Sequence, residues 1–162
     1  MPCCPLSPSV LRTISLTLPY PVSANRYWRS FVPRGHSRAI VTLSDEAKAY
    51  KQRVQYLAVA AGLRQPFNRR VQIGIRLFPA RPQDYAKRAA KDPMGWDDSV
   101  QCIDLDNANK VLLDALKGIA VVDDGWPVRR IVSERMEPDE HGARVELTIT
   151  PLVVEKIQEE FF

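Results

Sequence analysis

Apolar residues recur along this chain with two spacings, and the changes of spacing mark its elements. Ala108, Val111, Leu112, Ala115 and Leu116 fall at i, i+3, i+4, i+7 and i+8, the stripe of an amphipathic helix. Gly118 suits the position after its last turn, with Lys117 placed to complement the helix dipole. Asp106 is the expected N-cap, and Asp104 on an extended lead-in would point to the same side. A second helix is predicted from Ser44 as N-cap, with Ala47, Tyr50, Val54, Leu57, Ala58 and Ala61 on one face and Gly62 at its end.

Period-two alternation predicts strands. Val10, Arg12, Ile14, Leu16 and Leu18 alternate with their neighbours up to Pro19 and Pro21. Val71, Ile73, Ile75 and Leu77 do the same before Pro79, and Val145, Leu147 and Ile149 form a clean last strand. Ile119–Val122 reads as a short apolar strand ending in the turn Asp123-Asp124-Gly125, and Pro127–Arg135 is strand-like with poor alternation. The segment 18–38 reads as a long loop, and Tyr85–Lys91 could form two helical turns within the proline-interrupted connection 79–103. The expected fold is α/β, one small sheet carrying two main helices on one face. The division is a disordered proline-rich stretch at 1–9, a domain at 10–150 with 79–103 as an insert, and a tail at 151–162.

Composition changes little in this picture. The chain has 162 residues, 45% apolar and 26% charged, as in an ordinary globular domain. No run reaches transmembrane length and the N-terminus has no signal-peptide pattern, so the expected location is cytoplasmic, away from membranes. Cys3, Cys4 and Cys102 form no disulfide or zinc pattern and read as plain thiols.

Charge adds more. The net charge is +4, and cation binding by several aspartates would leave the remaining surface more basic. Arg26, Arg29, Arg34 and Arg38 are interleaved with Tyr27, Trp28 and Phe31, beside Asn25. Arginines pair with phosphates and aromatics stack on bases, so Asn25, Arg26, Tyr27, Trp28, Arg29, Arg34 and Arg38 are candidate DNA contacts. A loop packed on the core with solvated arginines is the alternative.

The chemistry sits around the first helix described above. Lys110 falls one turn after Asp106, and Asp114 one turn after Lys110, where it is expected to pair with that lysine. Carboxylates at a helix start and at the Asp123-Asp124 turn can meet in a fold. Such a cluster offers oxygen ligands for Mg²⁺, or Mn²⁺, beside a cation for phosphate. Caps and turns alone would use the same residue types. Asp97-Asp98 is a rival acidic pair but has no lysine one turn on.

The run Asp104-Leu-Asp-Asn-Ala-Asn-Lys110, a helix, and then Asp123-Asp124 resembles the RusA family of Holliday junction resolvases, crossover junction endodeoxyribonucleases common in prophages. Leu18-Pro-Tyr-Pro-Val-Ser-Ala-Asn-Arg-Tyr-Trp28 is similar to the segment after the first strand of that family. The resemblance implies a mixed sheet, a homodimer and Mg²⁺-dependent cleavage of branched DNA in recombination and repair. It places the essential acids on Asp104, Asp106 and Asp124 and the essential lysine on Lys110, with Asp123 the weaker acidic candidate. It does not cover 79–103 or the tail. The alternatives are a flap or fork nuclease with the same acidic site, a non-catalytic basic DNA-binding protein, and an interaction module held by its tail.

Overall fold

The computed structural model of the chain describes residues 12–123 and 125–153. Four strands form the main sheet: β1 (Ile14–Pro19), β4 (Val71–Phe78), β5 (Val128–Arg135) and β6 (Arg144–Pro151), in the order β1-β6-β4-β5. β6 runs antiparallel to both β1 and β4, whereas β5 is parallel to β4, so the sheet is mixed. The expected α/β class with a small mixed sheet holds. The stretch expected to be disordered at 1–9 and the tail expected at 151–162 lie outside the described residues, save for the short run 151–153.

The alternating strands did what their pattern dictates. Leu16 and Leu18 of β1, Ile73, Ile75 and Leu77 of β4, and Val145, Leu147 and Ile149 of β6 are buried on one face. Two helices cover that face: α2 (Asp45–Ala60) with Ala47, Tyr50, Val54 and Ala58, and α4 (Leu105–Leu116) with Ala108, Val111, Leu112, Ala115 and Leu116. The other face carries Ser15, Thr17, Gln72, Arg76, Glu146 and Thr148 and lies open as a groove. Gly74 sits there opposite Thr148, and a Cβ at this position would fall 2.5 Å from the threonine Oγ1. β5 alternates poorly because it is a sheet edge, with Ile131 and Val132 exposed.

Ser44 caps α2 as expected, its hydroxyl accepting from Ala47 N at 3.1 Å. The start of α4 differs from expectation. Its N-cap is Asp104, whose carbonyl takes the first helical bond from Ala108 N at 2.9 Å, and Asp106 lies inside the first turn. Ile119–Val122 is not a strand either. Gly118, at φ +76°, turns the chain so that its N–H donates to the Val121 carbonyl at 2.7 Å, and the segment bridges only to Phe67 and Lys117. Its apolar character comes from burial of Ala120 and Val121.

The expected loop 18–38 holds more structure than its sequence suggests. A single turn, α1 (Ala24–Tyr27), leads into β2 (Trp28–Phe31), which pairs with β3 (Ile40–Leu43) as a separate antiparallel ribbon. The 79–103 connection contains α3 (Tyr85–Lys91), the two turns expected. It is pinned at several points. Trp96 is buried and donates to Glu137 at 2.9 Å, Arg135 donates to the carbonyls of Asp97 and Val100, and the Arg81 guanidinium lies 4.5 Å from the Tyr85 ring centroid.

Three tyrosines tie these layers together. Tyr50 donates to the Pro19 carbonyl at 3.2 Å, Tyr27 to Asp114, and Tyr20 to Cys102 Sγ at 3.3 Å. Burial raises all three phenols above the ordinary 10.0, Tyr20 to about 12. Above pH 10 the unfolded chain releases these protons while the native state retains them. Stability is therefore full below pH 10 and declines as pH rises further. Thermal melts between pH 8 and 11 should show a constant melting temperature that falls beyond pH 10.

Candidate active site

The two sequence motifs meet in space. The stretch after β1 runs over the start of α4 and clamps it. The Tyr20 hydroxyl accepts from Ile103 N at 3.0 Å and donates to Cys102, so the two residues before Asp104 are fastened to the segment 18–22. Tyr27 is 1% exposed and donates to the Asp114 carboxylate, which also receives Lys51 Nζ at 3.1 Å. These contacts fix the angle at which α4 emerges.

Between the motifs lies an open pocket of about 440 Å³. Tyr20, Ser23, Asn25 and Arg26 line one side, and Cys102, Asp104 and Asn107 the other. Asp104 presents an exposed carboxylate at the positive end of α4, and that carboxylate makes no capping bond to its own helix. Asn107 Nδ2 approaches it at 3.4 Å. Asp106 and Lys110 stand one turn apart on the same helix, paired at 3.3 Å and both well exposed. Arg26 is paired with Glu46 at 2.9 Å.

Several expected site residues lie elsewhere. Asp123 is half-buried, 3.6 Å from Lys117, and accepts from Gly125 N at 3.0 Å, so its carboxylate organises its own turn. Asp124 lies outside the described residues. Among the described residues no three ligating side chains converge as a metal site. Asp114 does not pair with Lys110; it faces Tyr27 and Lys51 across the α2–α4 packing. Tyr27 is interior and corrects the expectation of a DNA contact there: its ring has no open face. Trp28 and Arg29 of β2, and Arg34 and Arg38 in the loop joining β2 to β3, are exposed. Asp98 lines a shallow groove with Arg88, Lys91 and Asp92 on the insert, apart from the pocket that holds Asp104.

Among the pocket residues, sequence reasoning gave Tyr20 no role and read Cys102 only as a plain thiol. The only sequence signal for Tyr20 is its place in the proline-bracketed run; nothing in the spacing shows its reach across 82 positions to Cys102.

A sequence profile described as Endodeoxyribonuclease RusA matches residues 19–150, a span that contains the Asp104–Asp124 motif and all of the Leu18–Trp28 motif but its first residue. The chain belongs to this family. Two relatives named Crossover junction endodeoxyribonuclease RusA, from Shigella sonnei (strain Ss046) and Escherichia coli (strain K12), are each 31% identical over 147 residues. The alignments span 88% of this chain and 98% of each relative. The RusA match thus includes the insert 79–103 as well as the pocket. No helix among the described residues is long and apolar enough to cross a membrane.

Proposed function

We propose that this chain is an Mg²⁺-dependent endonuclease that resolves four-way DNA junctions in recombination and repair, working as a two-fold homodimer. The observation that carries the reading is the shared pocket: Asp104 and Asn107 of one family motif face Asn25 and Arg26 of the other.

The donor set suits a hard divalent cation. Asp104 and Asp106 supply carboxylate oxygens at a helix N-terminus, and Asp104 is not consumed by capping. In this reading Asp104, Asp106 and Asp124 would hold Mg²⁺, with Mn²⁺ as a substitute, and Asp123 is left to its own turn. The chemistry a bound Mg²⁺ supplies is polarisation of the scissile phosphate and activation of water for in-line attack.

The chain's own groups do the rest. Lys110 holds a positive charge one turn from the acids, where negative charge builds on the phosphate in the transition state. Asn107 steadies the Asp104 carboxylate. Arg26 can exchange Glu46 for a DNA phosphate, since both partners are solvent-exposed. Each chain has one such constellation, and two cuts on opposing strands call for two chains related by a two-fold axis.

The test is incubation of an end-labelled four-way junction with and without Mg²⁺, with the mass in solution measured on the same sample. Symmetric paired nicks that require Mg²⁺ or Mn²⁺, from a species of twice 18.4 kDa, are expected. Undiminished cleavage in EDTA, or equal cleavage of linear duplex, would overturn the reading. A strict monomer would remove the homodimer.

A further inference from the structure

The β2–β3 ribbon is an unusual object for a protein surface. Among the described residues it pairs with no other strand, and a lone two-stranded hairpin is only marginally stable in water. Yet it displays large apolar side chains to solvent: Trp28 is 52% exposed, Phe31 41% and Val41 64%. Nothing in the described structure covers them.

Its charge is equally one-sided. From Trp28 to Leu43 the chain carries Arg29, Arg34, Arg38 and His36 and no Asp or Glu. The ion pairs among the described residues leave Arg29, Arg34 and Arg38 out. Such a surface complements a polyanion that also offers flat apolar faces. Single-stranded or unpaired nucleotides have both features, whereas the bases of an intact duplex are already stacked.

The register sharpens the match. Arg29 and Phe31 of β2, with Ile40 and Thr42 opposite, share one face of the ribbon, and Trp28 and Val41 lie on the other. The Arg29 guanidinium is 5.8 Å from the Phe31 ring centroid. A cation beside a ring can take the phosphate and the base of neighbouring nucleotides. The root of the ribbon is firm. Ser44 N donates to the Tyr27 carbonyl at 3.0 Å, and the Trp28 ring meets the buried Tyr27 ring edge-on at 5.3 Å. Through Tyr27 and Asp114 the ribbon is fixed to α4, the helix that carries Asp106 and Lys110.

We propose that the β2–β3 ribbon is the branch-point reader of this protein: Trp28 and Phe31 stack on bases unpaired at the crossover, while Arg29, Arg34 and Arg38 hold the flanking phosphates. The proposal rests on the junction-nuclease reading and assigns the recognition of branched over linear DNA to one element.

The test uses the full chain in Ca²⁺, and compares wild type with Trp28→Ala/Phe31→Ala. Affinity is measured for a four-way junction and for linear duplex, with 2-aminopurine placed at the crossover or in an arm. Wild type should alter the fluorescence at the crossover and not in the arm. The double variant should lose this signal and about thirtyfold or more in junction affinity, with duplex affinity unchanged. An unchanged crossover signal and affinity in the double variant would overturn the proposal. A second variant, Arg34→Gln/Arg38→Gln, should flatten the log–log salt dependence of junction binding by about two. An unchanged slope counts against the ribbon even if the double variant proves unstable. Wild type that disturbs crossover bases but never cleaves with Mg²⁺ would overturn the nuclease reading and support the ribbon. Wild type that cleaves junctions without disturbing those bases would do the reverse.

Discussion

Asp106→Asn should lower junction cleavage by about a hundredfold or more while leaving junction binding in place. Loss of a group that only supports a metal ligand already costs about 10–100-fold, and a ligand itself should cost at least as much. The substitution keeps the side chain's shape, and with Asp106 69% exposed no packing is lost. The fold should change by only about half a kcal/mol, plus the small contribution of an acid in the first turn of α4. Binding rests on arginines and lysines against phosphates, and removing one negative charge does not weaken those contacts. Single-turnover cleavage at saturating enzyme, beside gel-shift binding in Ca²⁺, separates the two effects. Wild-type cleavage rates in this variant would move the catalytic site away from the start of α4.

Tyr27→Ala should destabilise the protein by about 3–5 kcal/mol, the range for truncating a large buried aromatic side chain. Its ring is interior, and its hydroxyl shares the Asp114 carboxylate with Lys51. Truncation opens a cavity between α1, α2 and α4 and leaves Asp114 one donor short. Tyr27→Phe keeps the ring and removes only a hydrogen bond to a charged acceptor, at a cost of about 1.5–3 kcal/mol. Urea unfolding of the two variants distinguishes the contributions. Equal losses in both would mean that the ring itself adds nothing to the core.

The regular part of this fold was legible because burial on one face imposes a period. β4, β6, α2 and α4 each present an apolar residue wherever the core requires one, so spacing alone marks them. The D-x-D-N-x-x-K run was legible because its acids and lysine are local neighbours on one helix. What escaped notice was decided by distant contacts. Asp104 rather than Asp106 caps α4 because Tyr20 holds Ile103 from 83 positions away and sets where the helix begins. Ile119–Val122 looked like a strand because buried residues are apolar whatever their backbone does. The ribbon escaped notice because a hairpin exposed on both sides has no reason to alternate. Tyr27 and Trp28 are adjacent aromatics in a basic run, and only the fold sends one into the core and the other to solvent.

The strand order has a consequence for how the protein is made. β6 lies between β1 and β4, so the two earliest strands of the sheet are not joined until residues 144–151 have left the ribosome. Until then β1 has no partner in the sheet, and the clamp that β1 delivers onto the start of α4 has no fixed origin. β4 and β5 can pair before that moment, but they cannot recruit β1. A chain still in synthesis therefore carries Asp104 and Asp106 before the strand that joins β1 to the rest of the sheet exists. For a protein meant to cut DNA, this delays activity until translation has passed the last strand, and a message truncated before Arg144 yields a product without the means to cut.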